Sequence, residues 1–281
     1  MISVVTPVLN GRACIEGCLA NVRDQGITDL EHIIVDGGST DETMAVVRAR
    51  AETTPGLRWI SELDRGQSHA MNKGVAMARG DLIGILNVDD RYELGALARV
   101  GAAAVGAERP ALLVGDCNVW DAAHRLTLVN RPGRMTLFDL LLGWDANQFP
   151  VNPSAYFAHR ELYAVVGGFD ESDHYSMDLD FILRAVQVAR IVRIDAILGN
   201  YHMLPLSKTV IEMRRGKMLK RQQWVFRRFE RRLSAARRGY LGVMRKWGRL
   251  RSSLHFLSKD PTGFTVRGWA RMTRAARGRN A

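Results

Sequence analysis

The chain has 281 residues, room for one large domain or for a catalytic domain with an appendage. Its 47% hydrophobic and 25% charged residues exclude a chain that is disordered throughout, and three cysteines without repeated spacing, Cys14, Cys18 and Cys117, exclude a disulfide framework. The net charge of +11 is uneven: residues 206–281 carry 22 of the 40 Lys and Arg but three of the 29 acids, so this tail stands at +19 and residues 1–205 at −8.

The opening run Ile2–Pro7 is short and β-branched and reads as a buried strand, not as a secretion signal. Cys14, Ile15, Cys18, Leu19 and Val22 recur at helical spacing, which predicts a helix over 14–25. Glu31–Asp36 is the next strand. Ser39–Glu52 follows as a helix, with Ser39 and Glu42 spaced as a capping box. Leu57–Glu62 reads as a strand, Ser68–Ala78 as a helix and Leu82–Asn87 as a strand. Leu94–Val105 is a helix and Ala111–Gly115 a strand, after which the pattern is irregular until about 147. Strands alternating with helices predict an α/β fold with a mostly parallel sheet and right-handed crossovers. No window reaches the roughly 18 apolar residues of a membrane span, so a cytoplasmic location is expected by elimination. Composition changes past residue 205. A catalytic domain over 1–205 and a basic helical extension over 206–281 are expected.

In open α/β sheets the ligand lies beyond the carboxyl ends of the strands. Asn10, Asp36, Asp64 and Asn87–Asp90 all fall just after predicted strands. Carboxylates gathered along one rim suit a cation or ribose hydroxyls. In Val35-Asp36-Gly37-Gly38-Ser39-Thr40-Asp41, Asp36 ends a strand and two glycines permit a tight turn; a purely structural turn accounts for the same residues. Asp64 and Arg65 follow the third strand, and Asn72 and Lys73 lie on the helix after it, where cationic groups would suit a diphosphate or simply be solvated. Asn87-Val88-Asp89-Asp90 offers hard oxygen ligands for Mg²⁺ or Mn²⁺, although an Asp pair also caps helices. In Met177-Asp178-Leu179-Asp180-Phe181-Ile182-Leu183-Arg184, Asp178 and Asp180 point different ways on a helix. One is expected to face the site, where a carboxylate accepts a proton from a hydroxyl. The other caps or pairs, with Arg184 a candidate.

Seven motifs stand in order: T-P-V-L-N, V-D-G-G-S-T-D, S-E-x-D-R-G-Q, A-M-N-K-G, L-N-V-D-D, G-G-F-D-E and Y-S-M-D-L-D-F-I-L-R. Together they resemble the family 2 glycosyltransferases, inverting enzymes of the GT-A fold, over residues 1–205. The resemblance implies a nucleotide-diphosphate sugar donor and a saccharide or lipid-linked acceptor. It assigns Thr6, Pro7, Asn10 and Asp36 to the nucleotide edge, and Asp64, Arg65, Asn72 and Lys73 to a second nucleotide and sugar region. Asn87, Asp89 and Asp90 match the metal-binding segment, with Asp89 and Asp90 as ligands of a divalent metal. Asp178 matches the general base, and Gly168, Phe169 and Asp170 the turn bordering the acceptor. Asn87 replaces the first acid of the metal motif, His69 stands where an Asp is common, and His202 lies two residues before the usual position of a histidine. No Gln-x-x-Arg-Trp motif is present, which implies transfer of one sugar per event.

Apolar residues at 226, 229, 233, 236, 240, 243, 247, 250 and 254 form a helical stripe in the basic tail. Gly239, Gly242 and Gly248 weaken it as one continuous helix. The stripe fits either an anionic membrane surface at the inner face of the cell membrane or packing against the catalytic domain. Nothing beside the charge points to nucleic acid. Three rivals remain. They are a non-catalytic protein of the same fold, a nucleotidyltransferase, and, more remotely, a dinucleotide-binding oxidoreductase, for which no G-x-G-x-x-G follows the first strand.

Overall fold

The computed structural model describes residues 1–144, 146–173, 176–204 and 217–259, with side chains of the last segment described over 220–248. Tyr175, the first residue of the Y-S-M-D-L-D-F-I-L-R motif, His174 before it and much of the basic tail lie outside the described residues.

Four parallel strands form the first half of a nine-stranded sheet: β1 (Ile2–Val8), β2 (Leu30–Asp36), β3 (Leu57–Ser61) and β4 (Leu82–Ile85). Their crossovers are the helices α1 (Arg12–Arg23), α2 (Thr43–Ala51) and α3 (Gln67–Met77). Then come β5 (Arg91–Tyr92), α4 (Ala96–Ala104), β6 (Ala111–Trp120), β7 (Leu126–Asn130) and α5 (Leu137–Leu141). A 3-10 turn at Pro153–Ala155 leads into β8 (Tyr156–His159), α6 (Arg160–Val166), α7 (Met177–Ala185) and β9 (Arg190–His202). Two further helices close the described chain, α8 (Lys217–Glu230) and α9 (Ala235–Lys259). The strand order is β3-β2-β1-β4-β8-β6-β9-β5, with β7 paired to β6. β8 is antiparallel to both its neighbours, which turns a parallel sheet into a mixed one.

Period-two burial sorts the strands onto two layers. Ile2 and Val4 pack with Cys18 and Val22 of α1, and Ile34 with Ile15, Leu19 and the α2 residues Met44 and Val47. Val5, Ile33 and Val35 point the other way, against Ala70 and Met71 of α3. α3 sits so close to the sheet that a Cβ on Gly74 would lie 2.1 Å from Val5 Cγ1.

The structure corrects three local expectations. Ser39 and Glu42 form no capping box: α2 starts at Thr43, whose amide donates to Asp41 Oδ1 at 3.0 Å, while Ser39 turns to Asp36. The strand expected over Ala111–Gly115 continues to Trp120, because β9 supplies a partner along its whole length. The basic stripe is not one helix. It breaks at residues 231–234, between α8 and α9, and Gly239, Gly242 and Gly248 all lie inside α9. Val225, Phe226 and Phe229 of α8 and Leu241 of α9 join the largest hydrophobic core. Among the described residues no helix is long and apolar enough to cross a membrane.

Gly74 and Gly239 separate crowding from helix propensity. A Cβ added at Gly239 would meet no other heavy atom of the described residues within 4 Å. Gly74→Ala is expected to be destabilising, because overpacking at about 1–3 kcal/mol outweighs a propensity gain of about 1 kcal/mol. Gly239→Ala is expected to stabilise. Urea unfolding of the two variants checks the opposite signs.

Candidate active site

The parallel strands deliver their carboxyl ends to one rim. Val8 at the end of β1 lies beside Asp36 at the end of β2. Asp36 is 0% exposed. Its carboxylate accepts from the amides of Gly38 and Ser39 at 3.2 and 3.1 Å, from the Ser39 hydroxyl, and from Ser61 Oγ at 2.6 Å. It ties the 37–39 turn to the end of β3. Asn10 bridges the same two loops from the surface. Its backbone N–H donates to Ser39 Oγ at 2.7 Å, and its Oδ1 accepts from the Thr40 amide at 2.8 Å. Pro7 is buried within β1. Thr6 is also buried, with Oγ1 2.8 Å from His32 Nε2. Of the residues expected at the nucleotide edge, Asn10 is at the surface, while Thr6, Pro7 and Asp36 lie beneath it.

The Asn87–Asp90 segment divides its two acids. Asp90 is 0% exposed, and both of its oxygens are engaged. Oδ2 accepts from Asn152 Nδ2 at 2.7 Å and from Asn87 Nδ2 at 2.9 Å, and Oδ1 accepts from the His202 amide at 3.1 Å. Gln67, at the start of α3, donates to Asn87 Oδ1 at 2.9 Å. Burial pushes the Asp90 carboxyl above its ordinary range, and the neighbouring Asp89 charge adds to this. Asp90, which the resemblance assigns to the metal, fastens three segments through these bonds. Asp89 is half-buried beside His202. Burial raises its pKa, while Arg91 and His202 pull the other way. Burial lowers the pKa of the His202 imidazole, and its Nδ1 is buried without a hydrogen-bond partner among the described residues. A carboxylate and a neutral imidazole nitrogen are donor types that Mn²⁺ accepts, so Asp89 and His202 supply two donors of the kind a divalent ion takes, although no group of three or more such side chains gathers among the described residues.

The second region forms an ionic cluster. Asp64 lies 2.6 Å from Lys73 Nζ and 3.1 Å from His69 Nδ1, and Lys73 also reaches Glu62 at 3.0 Å. Arg65, mostly exposed, pairs with Glu171 at 2.6 Å. Asn72 joins this region to the predicted acceptor turn with both ends of its amide. Nδ2 donates to the Phe169 carbonyl at 2.9 Å, and Oδ1 accepts the Phe169 N–H at 2.8 Å. A Cβ on Gly168 would sit 2.3 Å from Asn72 Oδ1, so this approach requires a glycine. Asp170 is turned to Ser172, accepting its hydroxyl at 2.7 Å.

α7 separates its two acids as expected. Asp180 is 2% exposed and pairs with Arg184 at 2.9 Å and with Arg228 of α8. Arg228 also lies 3.7 Å from Asp170, and Arg221 lies 3.0 Å from the buried Asp173. Asp178 faces elsewhere, and its Oδ1 accepts from Tyr156 Oη at 2.9 Å. Burial pushes the Asp178 carboxyl up to about 6; the Tyr156 hydrogen bond opposes this and the Asp173 charge adds to it.

These segments form one connected site. Gln67 bonds to Asn87, and the next residue, Ser68, donates to the Asp173 carbonyl at 3.0 Å. Asn152 holds Asp90 and Tyr156 holds Asp178, one on each side of the 3-10 turn. Sequence reasoning did not single out Asn152, Tyr156, Arg221 or Arg228. Asn152 carried a signal, since Asn-Pro-Ser is a cap sequence and its side chain caps this turn. Tyr156 is one apolar strand residue among several, and Arg228 one arginine among many.

Residues 3–118 match the family described as Glycosyl transferase family 2. A PGL/p-HBAD biosynthesis glycosyltransferase of Mycobacterium tuberculosis is 32% identical over 218 residues, 75% of this chain and 81% of the relative. The O-antigen biosynthesis protein RfbC of Myxococcus xanthus is 34% identical over 66% of this chain but only 14% of its own length. Among solved structures, S. aureus TarS 1–349 aligns with a TM-score of 0.63 and 18% identity, covering 94% of this chain and 74% of that one. The chain spans 37% of a longer TarS structure. A mannosyltransferase from Pyrobaculum calidifontis, in complex with GDP-Man and Mn²⁺, aligns with a TM-score of 0.59 and 21% identity over 98% of this chain and 79% of that one. At these identities the structural likeness establishes the shared GT-A architecture.

Replacing Asp90 by Ala orphans three donors at a buried site. The variant is expected to lose on the order of 3 kcal/mol of unfolding free energy, read as a fall in the denaturant midpoint.

Proposed function

The chain belongs to glycosyl transferase family 2, and from that premise we propose that it transfers one sugar from a nucleotide-diphosphate donor to a saccharide or lipid-linked acceptor, in a single displacement that inverts the anomeric carbon. The observation that carries this reading is the pairing of two half-buried acids on one connected site. Asp178 is held by Tyr156 and Asp89 lies beside His202, and the 3-10 turn at 153–155 joins Tyr156 to Asn152, which holds Asp90, the neighbour of Asp89.

Asp178 is the base. A carboxyl pushed up to about 6 is ionised at neutral pH yet more basic than an ordinary carboxylate, so it accepts the acceptor hydroxyl's proton with greater driving force. Tyr156 fixes its orientation from the buried side. As the acceptor oxygen attacks, the bond from the anomeric carbon to the diphosphate oxygen breaks, and the nucleoside diphosphate leaves with that electron pair. Asp89 and His202 would hold a divalent cation, whose contribution is to neutralise the departing diphosphate. Lys73 and Arg65 give the rim its cationic groups, and Asn72 holds the Phe169 turn on the acceptor side. The names of relatives support the donor and acceptor classes: TarS is known in complex with UDP-GlcNAc, the Pyrobaculum calidifontis enzyme with GDP-Man and Mn²⁺, and RfbC is an O-antigen biosynthesis protein.

Release of nucleoside diphosphate from UDP-, GDP- and dTDP-sugars, with Mn²⁺ or with chelator, tests the reading. One donor is expected to turn over in a metal-dependent way, and Asp89→Ala and Asp178→Asn are each expected to lower the rate by at least about 100-fold. Proton NMR of the freshly released sugar is expected to show the anomer opposite to the donor; the same anomer would overturn inversion.

Tyr156→Phe offers a pH test with a definite sign. The Tyr156 hydrogen bond lowers the Asp178 pKa, so its removal raises that pKa. Because the ionised carboxylate is the active form, the acid limb of the rate profile is expected to move to higher pH, with the plateau above it largely retained.

A further inference from the structure

The basic stripe in the tail divides between two faces once it is folded. Val225, Phe226 and Phe229 of α8 are buried in the catalytic core, and Leu241 of α9 joins them. Arg245 lies on the same side of α9, donating to the Leu141 carbonyl and pairing with Glu230. The opposite side of α9 has a different composition. Ala236 is exposed there, Val243 is 52% exposed and Trp247 64%, while Tyr240, 57% exposed, sits at the edge of this face with its ring stacked on Phe138 of α5 at 5.6 Å. At 3.6 residues per turn these four fall within a sector roughly 60° wide, facing away from Leu241 and Arg245.

A row of exposed aromatic and branched residues on a packed protein is a feature that single scattered apolar residues are not. Its surroundings identify the partner. Arg231, Arg232, Arg237, Arg238 and Lys246 are all exposed along this helix and the turn before it. Glu230 is the one acid between residues 217 and 259, and it is occupied by Arg245. A second copy of the chain would bring an equally basic face against this one, which the charge opposes. An anionic bilayer satisfies both components. Trp and Tyr settle at the headgroup boundary, and arginines and lysines are drawn to anionic headgroups.

We propose that the outward face of α9, formed by Tyr240, Val243 and Trp247 and flanked by Arg237 and Lys246, docks the protein on an anionic phospholipid surface. The inward face of the same helix is part of the folded core, so the contact needs no unfolding of the tail. This is a peripheral contact parallel to the surface, and its test does not depend on turnover.

The full chain is mixed with sucrose-loaded vesicles of phosphatidylcholine alone or of equal parts phosphatidylcholine and phosphatidylglycerol, then sedimented. Binding is expected only with phosphatidylglycerol, weakening as salt rises. The double variant Tyr240→Ser, Trp247→Ser is expected to bind on the order of tenfold less with its circular dichroism unchanged, and Trp247→Ser alone, which leaves the Tyr240–Phe138 stack in place, is expected to weaken binding without lowering the melting temperature. Arg237→Glu with Lys246→Glu is expected to weaken binding comparably. Equal binding to both vesicle types, or full binding by the aromatic double variant, overturns the proposal. So does a dimer in sedimentation equilibrium that the aromatic variant abolishes, which would assign the face to a second copy. Binding to duplex DNA that survives the aromatic variant while vesicle binding is absent would also overturn it.

Discussion

A carboxylate removed from water must be met by donors or by opposite charge, and this fold is organised around three that are. Asp36, Asp90 and Asp180 are almost wholly buried, and each is satisfied by partners remote in sequence. Asp36 reaches the end of β3, Asp90 reaches Asn152 and the end of β9, and Asp180 reaches α8. Removing any partner leaves a buried polar group exposed to the full cost of its lost hydration. The loops at the strand ends are therefore held by requirements that few alternative conformations meet.

This explains how the acidic motifs work in pairs. In Asp89-Asp90 and in Asp178-Leu179-Asp180, one acid is committed to the frame and its neighbour is left half-buried. The committed acid fixes the backbone, and the backbone aims the other. The same partly dry surroundings raise the pKa of both Asp89 and Asp178. Position and basicity thus have a common origin in burial. Asn72 does the equivalent for a neutral group, holding the Phe169 peptide by both its N–H and its carbonyl.

The strand and helix sequence of the first hundred residues was legible because apolar periodicity there is strong and local, as in Cys14–Val22 and Ile2–Val8. Which residues cluster at the rim was also legible, since each follows a strand. Which way a side chain points was not. Thr6 and Asp36 occupy rim motifs yet are buried, because pleat and turn geometry decide direction and neither is written in residue type. The length of β6 depended on β9, some eighty residues later. The tail shows the same limit. Its stripe was visible at 3.6-residue spacing, but spacing cannot assign Phe226 to a core and Trp247 to the outside, nor place the break at 231–234 rather than at a glycine.

The composition shift near residue 205 marks a change in charge, while packing runs across it through Val225, Phe226 and Phe229. Arg228 meets Asp180 and Asp170, and Arg221 meets Asp173. These contacts bind the tail's history to that of the segment it touches. Replacing Arg228 by a neutral residue leaves Asp180 Oδ1 without its arginine while Arg184 still holds Oδ2, and replacing Asp180 alone leaves both arginines short of a partner. The tail is therefore not an exchangeable fitting that related chains could trade freely: inheritance of the one end of the chain constrains the other.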